Sequence, residues 1–220
     1  MSPYYQSSLR STLNYYYKNT IDFVYQTVNI DMHDLYELFI KQLSQRDTQC
    51  ILDVGCGSGR DANYFAKQGY EVTAIDASAE LIQWAQQHHM LGRIDWYHLE
   101  FISIEKQPWK GKFTGVWACA SLLHVPFLQI PSVIESLLDT LTDDGVMYVS
   151  FKYGEGERID KERFFCDMDE ARWTTIVAKI PQVIEYDIWL SADKRVDYKN
   201  TWFNVIIKQR DDPIRSSVKR

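Results

Sequence analysis

The chain has 220 residues, 45% of them hydrophobic and 14% aromatic, and carries a formal net charge of −6. That is enough apolar material for one substantial core and too much for a disordered segment. The acidic balance disfavours a nucleic-acid partner, because phosphate neutralisation needs a basic face. Cations do gather at the end (Lys208, Arg210, Arg215, Lys219, Arg220), but Asp211 and Asp212 interrupt them, and the segment reads as a solvated tail.

No apolar run approaches the ~18 residues of a membrane span, so no membrane partner is expected. The N-terminus is rich in Tyr, Ser and Asn and lacks an apolar signal core, which reads as cytoplasmic. Cys50, Cys56, Cys119 and Cys166 are scattered without ligand spacing, as reduced thiols would be, and the five histidines offer no paired spacing, so no metal is expected.

In chain order, residues 8–45 suit helices, most clearly over 32–43, where apolar positions recur at helical spacing. An apolar β-type stretch at 50–54 runs into a Gly-rich turn and then a helix over 61–67, closed by Gly69 near a C-cap position. A second strand over 71–75 ends in Asp76, and a helix begins near Ser78, a plausible N-cap. A third strand spans 94–99. Pro108 and Gly111 break the chain before a fourth strand over 113–118, and Pro126 and Pro131 flank the start of a helix over 132–141. Asp143-Asp144-Gly145 turns into a fifth strand over 146–151. Residues 152–165 are polar and contain glycine, which predicts a loop. A helix over 169–179 and strands over 183–190 and 201–208 close the chain. Alternation of this kind predicts an α/β fold with a mostly parallel sheet covered on both faces. There is no internal repeat and no low-complexity linker, so a single domain is expected. Trp84 and Trp96 read as core residues.

The most informative stretch is Asp53-Val54-Gly55-Cys56-Gly57-Ser58-Gly59. Glycines here let the backbone turn sharply and let a ligand lie against bare main chain. The turn opens onto a helix N-terminus, which favours an anionic group. Dinucleotide sites usually show G-x-G-x-x-G; here the third glycine comes one residue early. Asp76 falls roughly 20 residues beyond the loop, where a carboxylate binds ribose hydroxyls.

Asp-x-Gly-x-Gly-x-Gly with an acid after the second strand resembles the S-adenosylmethionine site of class I methyltransferases. The resemblance covers residues 50–151 well and both ends weakly, and it is nearest in look to small tellurite-resistance-type and ubiquinone-type methyltransferases. It implies a Rossmann-like, seven-stranded, mostly parallel sheet with helices on both faces, an antiparallel last strand and a helical N-terminal lid. The expected organisation is one domain over 1–220, with the lid at 1–46, the α/β core at 47–210 and a tail at 211–220.

By that resemblance Asp53 heads the motif, and Gly55, Cys56 and Gly57 approach the methionine part of S-adenosylmethionine through backbone groups. Asp76 holds the ribose, with Ala77 beside it under the adenine. Glu100 stands where the family usually has an Asp near the adenine amino group, followed by Phe101. Ala118 and Cys119 line the methionine side. Thr114 replaces the family's usual Asp, and Ala120 replaces a frequent acidic residue.

A sulfonium methyl is already electrophilic, so the protein mainly aligns an acceptor and excludes water. A base is needed only if the acceptor must lose a proton. His124, just beyond the fourth strand, is the base candidate, the alternative being a loop histidine that packs locally. Of Tyr15, Tyr16 and Tyr17, one or two are expected to reach the site, since three neighbours cannot share one helix face. Tyr16 is assigned near catalysis and Tyr17 near substrate. Tyr153 and Arg158 are further substrate candidates, with a solvated arginine as the leading alternative for Arg158. The leading reading is methyl transfer to a small-molecule acceptor, organic or metalloid. The alternatives are a tRNA or protein methyltransferase and a cofactor-binding protein without turnover. The residues leave the oligomeric state open.

Overall fold

Three apolar segments set the centre of the fold. Strand β1 (Cys50–Val54) pairs in parallel with β2 (Glu71–Asp76) on one side and with β4 (Phe113–Ala118) on the other, and β4 is buried along its whole length. Such continuous burial marks strands covered on both faces. The computed structural model describes residues 3–44, 48–89, 93–195 and 198–209. The terminal cations from Arg210 onward lie outside them.

In chain order the elements are α1 (Pro3–Thr27), α2 (His33–Ile40), β1, α3 (Arg60–Lys67), β2, α4 (Ala79–His88), β3 (Ile94–His98), β4, α5 (Ile130–Leu138), β5 (Leu141–Lys152), β6 (Glu157–Asp160), β7 (Arg163–Cys166), α6 (Glu170–Val177), β8 (Val183–Ala192) and β9 (Thr201–Gln209). The main sheet runs β3-β2-β1-β4-β5-β9-β8. Strands β1 to β5 are parallel, and β9 runs antiparallel between β5 and β8. The fold is the Rossmann-like, seven-stranded one expected, with a long N-terminal helix. The apolar core lies on both sheet faces. One layer holds Ile134, Leu137, Trp173 and Phe203, and the other holds Phe39, Phe65, Trp117 and Tyr148.

Four local expectations are corrected. Residues 157–166 are not loop but a β6–β7 hairpin forming its own two-stranded sheet. Its turn, Lys161-Glu162, holds two left-handed residues (φ 49° and 66°) without the Asn or Gly that normally announces such a turn. Residues 143–145 are not a turn before β5 but a bulge within it, between the pairs Phe113–Leu141 and Gly115–Val146. The helix placed at 132–141 starts earlier and ends at Leu138, with Pro131 in its first turn, where a missing N–H costs nothing. Trp84 and Trp96 are only half-buried, Trp84 stacking on His88 one turn away; the deeply buried indoles are Trp109, Trp117 and Trp173.

Helix α1 is broken at Asn19 (φ −123°, ψ 21°), whose side-chain amide donates to the Tyr15 carbonyl at 2.8 Å and so competes with the helical ladder. Its first half lies against the hairpin. Phe164 N–H donates to Thr12 Oγ1 at 3.0 Å, Ser11 Oγ donates to the Glu162 carbonyl, and Lys18 pairs with Glu162 at 3.2 Å.

Candidate active site

The glycine loop sits at the C-terminal end of β1, and its geometry demands glycine. Gly55 is left-handed (φ +73°), and a Cβ there would come within 2.4 Å of Ser121 Cβ. Gly59, also at φ +73°, is the residue before α3, and its Cβ would strike Trp96 at 2.6 Å. Any other residue type would be strained at these left-handed angles and would have to displace Ser121 or Trp96.

The expectation that this loop offers its amides to a ligand needs revision. Gly55 and Cys56 N–H both donate to the Ile75 carbonyl (2.8 and 2.9 Å), and Gly57 N–H donates to Asp76 Oδ2 at 2.9 Å. The loop is thus stitched to the end of β2, while Asp76 Oδ1 accepts from Ser78 N–H at 2.8 Å. Burial holds the Asp76 carboxyl above its ordinary value despite these donors.

A cavity of ≈ 360 Å³ opens beside the loop, within the ~300–1,000 Å³ range of small-ligand sites. Its floor includes Gly55, Cys56 and Gly57 with Cys119 and Ala120 after β4, and its roof includes Tyr15, Tyr16 and Phe23 of α1. Phe23 lies over Gly57 and meets Tyr16 edge-on, with ring centroids 5.0 Å apart. Residues 16 and 23 are two helical turns apart, and that spacing was the available signal for Phe23. Ala120 is itself left-handed (φ 52°), its N–H held by Ser150 Oγ at 2.9 Å. Strain of this kind collects at functional sites.

Behind the loop lies a buried charge cluster. Arg60 forks onto Asp61 (Nε–Oδ1 2.6 Å, Nη2–Oδ2 2.9 Å), and Asp61 also accepts from Trp117 Nε1 at 2.9 Å and from the Tyr36 hydroxyl. Burial pushes the Asp61 carboxyl up, but Arg60 and these donors outweigh it and hold it below the usual range. Neighbouring Asp53 goes the other way: burial first, then the Asp61 charge, raises it well above a normal carboxyl. Asp53 Oδ2 and Ser121 Oγ are buried without a hydrogen-bond partner among the described residues. Both lie behind the cavity wall, while the loop itself leaves open main chain facing the cavity, a space that a Cβ at Gly57 would fill against Phe23 at 3.3 Å. The residues present therefore fit an adenosyl-type cofactor.

Tyr16 and His124 meet across the cavity at 2.9 Å (Oη to Nε2). His124 Nδ1 lies 2.6 Å from the Phe164 carbonyl, which can only accept, so the proton is assigned to Nδ1 and Nε2 accepts from Tyr16. Burial lowers His124 to about 4 and raises Tyr16 to about 12, with Arg163 pulling Tyr16 partly back down. Burial also raises the Cys119 thiol to about 12, which leaves it a poor nucleophile.

The other anticipated residues separate from the cavity. Tyr17 is 66% exposed, on the outer face of α1 and away from the lining, so its assignment to substrate is corrected; its neighbours occupy the inner face. Tyr153 is also exposed and reaches Glu170 at 3.4 Å. Arg158 is not a lining residue: it is part-exposed, pairs with Asp167 at 2.7 Å and stacks on Phe165. Asp53, Asp76, Ala77, Glu100, Phe101 and Ala118 stand outside the lining, though Phe101 lies 3.4 Å from the Cβ position of Gly55. Sequence reasoning missed Lys152, Arg163, Asp193 and Arg195, which do line the cavity. They come from the end of β5, the hairpin and the β8–β9 connection, where no motif announces them.

A left-handed glycine cradle on β1, a carboxylate ending β2 and a reversed strand beside β5 define the class I methyltransferase fold. Residues 51–145 match the family described as methyltransferase domain. An uncharacterised methyltransferase of Mycobacterium tuberculosis is 34% identical over 100 residues, covering 46% of this chain and 49% of that one. A ubiquinone biosynthesis O-methyltransferase of Xylella fastidiosa is 33% identical over 103 residues, covering 46% and 40%. The chain spans about half the length of the curated relatives it matches. Among solved structures, the 1,6-didemethyltoxoflavin-N1-methyltransferase of Burkholderia thailandensis, bound to its namesake compound and S-adenosylhomocysteine, superposes with TM-score 0.73 at 20% identity. That match covers 96% of this chain and 92% of the other. Phosphoethanolamine N-methyltransferase 2 of Haemonchus contortus gives TM-score 0.68 at 13% identity over 89% of this chain and 58% of its own.

Proposed function

We propose that the protein binds S-adenosylmethionine at the glycine loop and moves its methyl group to a small-molecule acceptor held under α1. The observation that carries this is the pairing of a cradle only glycine can form with a cavity whose far wall presents a hydroxyl–imidazole pair. When bound, S-adenosylmethionine supplies a methyl group already activated by its sulfonium. Asp53, Gly55, Cys56 and Gly57 would face its methionine part with Ala118 and Cys119, Asp76 and Ala77 its ribose and adenine, and Glu100 and Phe101 the adenine edge.

The chain's own contribution is alignment and dryness. Residues 1–46 act as the lid of a single domain whose core is 47–210, with Tyr15, Tyr16 and Phe23 closing over the loop, so water is excluded and the acceptor is held in line. An acceptor that must lose a proton passes it to Tyr16 Oη as the Tyr16 proton shifts to His124 Nε2, so no phenolate has to form and the proton ends on an imidazolium whose Nδ1–H is held by the Phe164 carbonyl. His124 alone is a weak base here, because burial disfavours its charged form.

The acidic chain and the aromatic cavity walls favour an organic small molecule over RNA. The solved neighbours named for didemethyltoxoflavin and phosphoethanolamine support that choice. Four cysteines, each free in the fold, suit a reducing cytoplasm. Calorimetric titration with S-adenosylmethionine, followed by tritiated-methyl transfer to small-molecule extracts and to total RNA, tests the reading. Expected are binding and label in the small-molecule fraction. Absence of binding overturns it, and label in RNA alone moves it to a nucleic-acid methyltransferase.

A further inference from the structure

The chain is acidic overall, yet its cavity is lined by six cations, Arg60, Lys152, Lys161, Arg163, Lys194 and Arg195, against Asp61, Asp160 and Asp193. Three of the cations are spent on protein partners: Arg60 on Asp61 (2.6 Å), Lys194 on Asp34 (2.9 Å) and Arg195 on Asp193 (2.6 Å). Arg163, Lys152 and Lys161 have no carboxylate partner among the described residues, although Arg163 also acts on the Tyr16 hydroxyl. Arg163 lies between the rings of Tyr15 (4.3 Å) and Phe165 (5.1 Å), and its Nε is buried with no hydrogen-bond partner. Lys152 Nζ sits 4.2 Å from the Phe165 ring centre, and neither it nor Arg163 has an ion pair among the described residues.

The nearest carboxylates do not supply the missing charge. Asp167 and Asp160 are both engaged by Arg158, at 2.7 and 3.8 Å. Burial, followed by the charges of Arg158 and Arg163, holds the Lys152 ammonium below its ordinary value, as expected of cations crowded without a counter-ion. A guanidinium whose Nε is buried without a partner and which has no carboxylate beside it is completed by an anion. Position argues which anion. Lys152 ends β5, two strands from the glycine loop on β1, roughly 10 Å across the sheet, and Arg163 begins the hairpin strand above it. Both therefore lie on the acceptor side of the cavity, beyond the Tyr16–His124 pair.

Resting on the methyltransferase reading, we propose that Arg163 and Lys152 form a subsite for an oxyanion carried by the acceptor, a carboxylate or phosphate whose carbon skeleton packs between Tyr15 and Phe165. Guanidinium and ammonium are both suited to such a group, the first as a planar fork and the second as a point charge.

The test is calorimetric titration of free and S-adenosylhomocysteine-saturated protein with benzoate, phenyl phosphate and benzamide. Benzoate or phenyl phosphate should bind at least about tenfold more tightly than benzamide, and the preferred anion separates carboxylate from phosphate chemistry. Its affinity should fall between about 50 mM and about 500 mM salt. Arg163→Gln and Lys152→Gln should each weaken the anion about tenfold while leaving the melting temperature and the S-adenosylhomocysteine Kd unchanged. Equal affinity for benzoate and benzamide, or no binding of either anion, overturns the subsite. Loss of S-adenosylhomocysteine binding in either variant also overturns it, because the cations would then serve the cofactor's own carboxylate. Wild-type protein that binds benzoate but not S-adenosylhomocysteine would sink the methyltransferase reading and leave the oxyanion site standing.

Discussion

The Tyr16 hydroxyl donates to His124 Nε2 across 2.9 Å, joining the first helix of the chain to the turn after β4, 108 residues later. The pair is part-buried, and burial keeps both members neutral.

If this pair accepts the acceptor's proton, Tyr16→Phe should lower kcat by about a hundredfold, the lower end for general acid–base catalysis, with the Kd for S-adenosylmethionine unchanged. Single-turnover methyl transfer alongside calorimetry separates the two quantities. A variant with full kcat would confine Tyr16 to packing.

His124 also makes stability depend on pH. Its folded value of about 4 lies below the 6.5 of an ordinary histidine, so the unfolded chain binds the extra proton between these limits. The stabilisation is fully present above about pH 6.5 and is lost as pH falls from about 6.5 towards 4. Burial lowers His89 as well, so the informative quantity is the difference between wild type and His124→Gln. In thermal melts across that window the variant should show the shallower decline; parallel curves would mean that His124 is not held neutral.

Asp61 is the counter-charge of a desolvated arginine. Asp61→Asn keeps the shape but strands Arg60, and it should cost about 3–5 kcal/mol in urea unfolding, as breaking one side of a buried pair does. A loss under about 1 kcal/mol would place the pair among solvent-screened ones.

Asp76 fixes the amides of Gly57 and Ser78, so its removal loosens the loop as well as the proposed ribose contact. Asp76→Ala should weaken S-adenosylmethionine binding by ~1–3 kcal/mol, since buried donors are left unpaired. An unchanged dissociation constant would remove Asp76 from the site.

The central sheet was legible because its signals are local and strong. Apolar runs, three glycines and Asp76 place β1, β2 and the loop within a residue or so, and Ser78 caps α4 through its hydroxyl as its type suggests. What escaped was set by tertiary contact. The Lys161-Glu162 turn carries no turn residues, and the docking of α1 through Ser11, Thr12 and Lys18 holds it in a left-handed conformation. Among three consecutive tyrosines, sequence alone does not say which turn inward; the register of α1 against His124 does. Arg158 read as a possible anion contact or a solvated arginine, yet the pairing of β6 with β7 gives it to Asp167 and brings Arg163 to the cavity instead.

The hairpin is a sheet of its own, and its ladder pairs with no strand of the seven-stranded sheet. Its residues can therefore be exchanged without disturbing the ladder that carries the glycine cradle. On the proposed reading, Arg163 of the oxyanion subsite and the glycine cradle stand on separate pieces of backbone, so the smaller piece can be rewritten while the cradle is kept.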